Sequence, residues 1–134
     1  MRIAAAALAT VAVLAACGLG VQSPDLFQVT RSGPGQKLTL LVNDAGTIAC
    51  NGGKRKALPD RLLLQARDLA TSLDADAKAK LRFRASAASV FSYTVKVQNG
   101  TFTFPDIAAG SRKELAQLEL FVVQAAADPC GVSA

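Results

Sequence analysis

Residues able to carry chemistry are few in this 134-residue chain: three cysteines, one tight carboxylate pair and two basic groups. The carboxylates are Asp74 and Asp76, which could hold a cation or exchange a proton. A cation site needs further oxygen ligands, and none accompany this pair, so solvated residues at a helix end are the expectation. The basic groups are Lys54-Arg55-Lys56, with Arg61 nearby, and a segment in which Lys78, Lys80, Arg82 and Arg84 alternate with Ala79, Leu81 and Phe83. Lys54, Arg55, Lys56, Lys80 and Arg82 are the candidate binding residues, worth roughly 1 kcal/mol each beside an anionic headgroup or polymer. Plain solubilising charge is the competing reading. The chain has no histidine, which excludes Ser-His-Asp and Cys-His nucleophiles and histidine-based zinc. No G-x-S-x-G, Walker or G-x-G-x-x-G motif occurs. The expectation is a protein that is not an enzyme and has no cofactor or metal. Phe83 is the one aromatic residue set among these charges, and with an extracytoplasmic compartment expected, nucleic acid is not an expected partner.

The cysteines point to a compartment. Met1-Arg2 is followed by an apolar run, Ile3 to Val13, and then by Leu14-Ala15-Ala16-Cys17. That is the order of a secretory signal, and its last four residues look like a lipobox, at which a precursor is lipidated on cysteine and cut. The expected division is a signal peptide at 1–16, a lipidated Cys17 with a tether at 17–25, and a single domain at 26–134. Two acyl chains on Cys17 make a stable anchor at about 0.8 kcal/mol per buried methylene. An ordinary cleaved signal peptide is the first alternative; a retained transmembrane helix ranks behind it because Gly18, Gly20 and many alanines weaken the span. The expected location is therefore the extracytoplasmic face of a cell membrane. Removing Arg2 lowers the formal charge of +5 by one, leaving a mildly basic protein.

With Cys17 taken by lipid, Cys50 and Cys130 remain as the one possible intramolecular pair. In an oxidising compartment two such thiols read as a disulfide. Buried free thiols are the alternative.

The elements that must position these groups follow from periodicity. Leu26 to Arg31 reads as a strand ended by Ser32-Gly33-Pro34-Gly35. Lys37 to Asn43 and Thr47 to Asn51 flank Asp44-Ala45-Gly46. A three-residue loop with Gly46 left-handed sets Asn43 opposite Thr47, Val42 opposite Ile48 and Leu40 opposite Cys50, which gathers the large apolar side chains on one face. Residues 51–56 read as an exposed loop. Pro59 and Asp60 suit a helix start, and Leu62, Ala66, Leu69 and Leu73 form its apolar stripe. Asp74-Ala75-Asp76 either ends this helix or restarts a short one to Lys80. Phe91, Tyr93, Val95 and Val97 alternate with polar residues, and Asn99-Gly100 predicts a type I′ turn with Val97 opposite Phe102 and Tyr93 opposite Asp106. In that arrangement the Tyr93 hydroxyl reaches Asp106 or solvent. Ser111-Arg112-Lys113-Glu114 has the form of a capping box, and Leu115, Leu118, Phe121, Val122 and Ala125 continue a helix that Asp128-Pro129 stops. The predicted class is α+β: an antiparallel sheet of about five strands with two helices on one face, in the order βββ-α-ββ-α.

The stretch Phe91-Ser92-Tyr93-Thr94-Val95-Lys96-Val97, with Asn99-Gly100 and this element order, resembles the emfourin-like family of small proteinaceous metalloprotease inhibitors across about residues 26–127. The resemblance implies restraint of a protease. The lipobox and cysteine pair depart from that family. The Ser32–Gly35 turn does not match its Gly-rich N-terminal loop, so no inhibitory residues carry over. Lipobox and composition also look like those of bacterial envelope lipoproteins. The expected function is a membrane-anchored binding module whose ligand is an envelope protein, a protease among the candidates. The alternative is a structural lipoprotein touching anionic lipid or wall polymer. The sequence sets no oligomeric state.

Overall fold

The computed structural model describes residues 24–133. The expected signal peptide, the lipobox-like stretch with Cys17 and most of the expected tether lie outside the described residues.

The first two strands, β1 (Asp25–Gly33) and β2 (Gln36–Asn43), are joined by Pro34-Gly35 alone. Strand pairing therefore runs through Ser32 and Gly33, further than their turn-forming composition suggests. Proline's fixed φ and a glycine at φ 68° make that corner. Strand β3 (Thr47–Cys50) pairs with β2 in the expected register: Asn43 with Thr47, Val42 with Ile48, Leu40 with Cys50. Gly46, at φ 87°, supplies the left-handed residue of the loop.

Residues 51–56 are not all loop. Arg55–Ala57 forms a three-residue edge strand, β4, against Thr47–Ala49, which raises the strand count to six. So short a run of Arg-Lys-Ala has no periodicity of its own, and only its pairing makes it a strand.

Helix α1 (Asp60–Lys78) follows and turns an inner stripe of Leu62, Ala66, Leu69 and Leu73 toward the sheet. It runs unbroken through Asp74-Ala75-Asp76. Strands β5 (Ser92–Val97) and β6 (Gly100–Pro105) form the second hairpin, and a 3-10 turn at Asp106–Gly110 leads into α2 (Lys113–Ala127). The sheet order is β4-β3-β2-β1-β5-β6, with every printed pairing antiparallel. Both helices pack on one face, where Phe27, Leu40, Ile48, Val95, Phe104 and Phe121 are fully buried. The α+β class is thus as the sequence predicts.

Two local expectations are corrected. In the β5–β6 hairpin the loop is Gln98-Asn99, and Val97 pairs with Gly100, Val95 with Phe102 and Tyr93 with Phe104. The register is two residues away from the type I′ arrangement, so the same side chains still face the core. The cause is tertiary: the Asp74 carboxylate on α1 accepts from the Asn99 backbone N–H at 2.8 Å and from its side-chain amide at 2.6 Å. At the start of α2 the capping box does not form. Arg112 is the N-cap, without a side-chain cap bond. The Ser111 hydroxyl instead donates to the Ala108 carbonyl, and Glu114 is held by Arg112 at 3.2 Å.

Cys50 and Cys130 form a disulfide with Cα atoms 5.8 Å apart, closing a separation of 80 residues. It joins β3 to the segment just past α2. Lys56 supports that segment by donating to the Pro129 carbonyl at 3.3 Å.

Candidate functional site

The two basic groups do not converge. Arg55 and Lys56 lie on β4, and Lys54 precedes it, at one edge of the sheet. Lys80 and Arg82 lie beside β6, at the other edge. Five strand spacings, roughly 24 Å, separate them. The carboxylates diverge as well: Asp74 is engaged with Asn99 and Lys78, whereas Asp76 is buried against α2. Among the described residues, no group of three or more metal-ligating side chains comes together, and no helix is long and apolar enough to cross a membrane.

Lys80 and Arg82 belong to an open groove of about 540 Å³. Its floor is Asn99 and β6 from Gly100 to Thr103, and its far wall is Lys80-Leu81-Arg82-Phe83. Backbone strain sets that wall. Lys80 takes φ 53°, uncommon outside glycine, and its N–H donates to the Ala77 carbonyl at 3.1 Å. Leu81 N–H then donates to the Asp76 carbonyl at 3.3 Å, and the chain leaves α1 to run beside the sheet edge. Phe83 anchors it with an edge-on contact to Phe104 at 6.1 Å. The far end is held by Asp106. Its carboxylate accepts from the Ser89 hydroxyl at 2.5 Å and from the Val90 and Phe91 N–H groups at 3.1 and 3.0 Å. These donors keep its pKa low although burial opposes them. Among the described residues no backbone hydrogen bond joins residues 80–90 to β6, so the outer N–H and C=O groups of an edge strand stay open.

The uncovered face of the sheet is less suited to binding. Thr103, Thr94, Thr30 and Thr39 form a rung across four strands. Their hydroxyls already bond each other in pairs, Thr94 with Thr103 at 3.1 Å and Thr30 with Thr39 at 3.3 Å.

Buried ionisable groups collect in two places the sequence reading did not single out. Arg112 bridges the helices, 3.6 Å from Asp76 and 3.2 Å from Glu114, with its guanidinium over Phe83. Burial, then a shared hydrogen bond with Glu114, pushes Asp76 up to about 6. Burial acts against ionisation of Glu114 too, but its own backbone N–H, Asp76 and Arg112 outweigh it. The second cluster is Arg31, Tyr93 and Glu119. Arg31 sits on the core face of β1, 4 % exposed, its guanidinium 4.8 Å from the Phe91 ring centre. Tyr93 is buried and stacked on Phe104. Its pKa is raised by burial and by Glu119, with Arg31 opposing through charge and a hydrogen bond. Its charged neighbours are Glu119, Arg31 and, more weakly, Asp106, whose carboxylate accepts from Ser89, Val90 and Phe91. Glu119 is pushed up to about 7, by burial first and the Asp106 charge second, and its Oε1 has no hydrogen-bond partner. A charged residue at inward strand parity, Arg31 after Phe27 and Val29, is the signal that could have found this cluster.

These shifts predict a pH dependence. Asp76 and Glu119 titrate higher in the folded protein than their ordinary 3.8 and 4.5, so the unfolded chain releases their protons first. Their contribution to stability is complete at low pH and falls as pH rises from about 4 to about 7. Asp74, Asp106 and Glu114 are shifted down and act in the opposite sense, losing their contribution as the solution becomes more acid. The expected melting-temperature profile peaks near pH 4–5. Glu119→Gln should raise stability at pH 8 by about 1 kcal/mol, after discounting for solvent screening, and change it little at pH 4.5. An equal change at both pH values would show that Glu119 is not the titrating group.

The fold and groove define a two-layer α+β domain, closed by one disulfide, with β6 as an open sheet edge. No protein-family model, curated protein or solved structure matches the chain.

Proposed function

We propose that the protein is a lipid-tethered extracytoplasmic binding module that receives an extended segment of a protein ligand along β6. The observation that carries this reading is the groove itself. An unpaired strand edge offers main-chain hydrogen bonds, which is how strand addition gains affinity. Lys80 and Arg82 on the opposite wall favour a segment with acidic side chains. Among the described residues no carboxylate lines the groove, which leaves the two cations to set its charge. The width of the sheet between the two basic groups favours this reading over a single basic face laid on an anionic polymer. An envelope protease is one candidate ligand, testable by inhibition assays on any recovered enzyme.

The anchor and the site have separate tests. Intact mass of the membrane-extracted protein should correspond to a chain beginning at Cys17 with lipid attached, and an uncut cytosolic precursor would end the tether reading. For the site, a photo-crosslinker at Thr101 should capture ligand in envelope preparations, while one at Thr47 should not. Lys80→Glu with Arg82→Glu should abolish that capture. Equal capture from both positions, or capture that survives the charge reversal, would refute the β6 groove as the site.

A further inference from the structure

Helix α2 has two apolar stripes, and the core uses only one of them. Leu115, Leu118, Val122 and Ala125 face the sheet and are fully buried. Ala116, Leu120, Val123 and Ala127 face outward, spaced four, three and four residues apart. That average of about 3.7 stays close to the 3.6 residues of a helical turn, so the four side chains share one face. Leu120 and Val123 are 55 % and 44 % exposed, and Leu64 on the neighbouring face of α1 is 61 % exposed. A surface helix ordinarily sets its charges on this side. Here the outward residues between Lys113 and Asp128 are only alanine, glutamine, leucine and valine. α1 is different, with exposed Arg61, Arg67, Asp68 and Lys78.

We infer that the outer face of α2 binds a second copy of this chain, the two α2 helices lying antiparallel about a two-fold axis. The stripe is self-complementary in that direction. Leu120 of one copy meets Val123 of the other, Ala116 meets Ala127, and small residues at both ends let the backbones approach. Charge selects the same orientation. Lys113 begins the seam and Asp128 ends it, so antiparallel pairing sets opposite charges together at both ends, whereas parallel pairing sets like with like. The two-fold also brings the α1 helices face to face, which places Leu64 and the groove bordered by Gln65, Asp68, Gln117 and Leu120 in the same interface. A two-helix face about 22 Å long is at the small end of stable interfaces, which predicts a micromolar dimer. The seam lies on the helix layer, away from the open edge of β6, so pairing leaves that groove free.

The test is sedimentation equilibrium of the membrane-extracted protein in density-matched detergent across the micromolar range. A species of twice the protomer mass is expected. Leu120→Glu with Val123→Glu should weaken association by about a hundredfold or more, with an unchanged melting temperature for the monomer because both side chains are exposed. Lys113→Asp or Asp128→Lys alone should weaken it by roughly threefold to fivefold, and the two together should restore it. A monomer throughout would overturn the inference. So would a dimer indifferent to the Leu120 and Val123 changes, or a monomer whose position 120 carries a fluorophore that becomes shielded on adding phospholipid vesicles, since that face would then meet lipid.

Discussion

Replacing both Cys50 and Cys130 by alanine is expected to lower the unfolding free energy by roughly 4–5 kcal/mol, the entropy that a long closed loop removes from the unfolded chain. The loop is long because the bonded residues are 80 apart in sequence, and it encloses β4, α1, β5, β6 and α2. Among the described elements, β1, β2 and all of β3 but Cys50 lie before it. The folded state loses less, since the sulfur pair sits at the margin of the core, with Cys130 7 % exposed and Cys50 partly buried. The effect should thus reside in the unfolded chain, and this can be measured. Urea titration should show a lower midpoint together with a steeper slope, because the uncrosslinked chain exposes more surface when it unfolds. A loss of this size is a large share of the 5–15 kcal/mol typical of a domain. A cost below about 1 kcal/mol, or an unchanged slope, would show that the bond does not restrain the unfolded chain in this way.

How much of this architecture is legible in the sequence depends on how local each determinant is. The β2–β3 register can be read from one stretch, because Gly46 supplies the left-handed position and the alternation of Leu38, Leu40, Val42 and Ile48 admits one arrangement. The faces of β5 and β6 are legible for the same reason. Their register is not, since Asn99 is held by Asp74, 25 residues earlier and on another element. Ser111 and Glu114 carry the spacing of a capping box, yet Arg112 and Asp76 compete for the Glu114 carboxylate and the helix begins later. The cysteine pair is legible by count, because setting Cys17 aside as the expected lipid acceptor leaves only one partnership. The groove is legible in part: Lys80 and Arg82 stand out as residue types, but their separation from Lys54, Arg55 and Lys56 depends on strand order, which no short pattern encodes. Arg31 and Glu119 required the fold, because each reads as a surface charge until its neighbours are known.

Phe104→Ala is the single substitution expected to cost most, about 3–5 kcal/mol by loss of burial and the cavity left behind. Phe104 is 0 % exposed and joins three rings: Tyr93 stacked at 5.1 Å, Phe83 edge-on at 6.1 Å and Phe102 at 6.2 Å. It lies on β6, an edge strand with a neighbour on only one side, so its side chain ties the edge to the core. Phe83 depends on it from above, and with Phe83 goes the far wall of the groove that holds Lys80 and Arg82. The truncation should therefore affect more than global stability. Amide exchange should accelerate across residues 80–90 and 100–105, while β1 to β3 exchange only by whole-domain unfolding. Phe83→Ala, at a half-buried site, should cost less, roughly 1–2 kcal/mol, and loosen residues 80–90 without exposing β6. If the two variants prove equally costly, or if Phe104→Ala leaves exchange in residues 80–90 unchanged, the groove wall is positioned by something other than this aromatic stack. Arg112, whose guanidinium lies 5.9 Å from the Phe83 ring centre, would then be the group to examine.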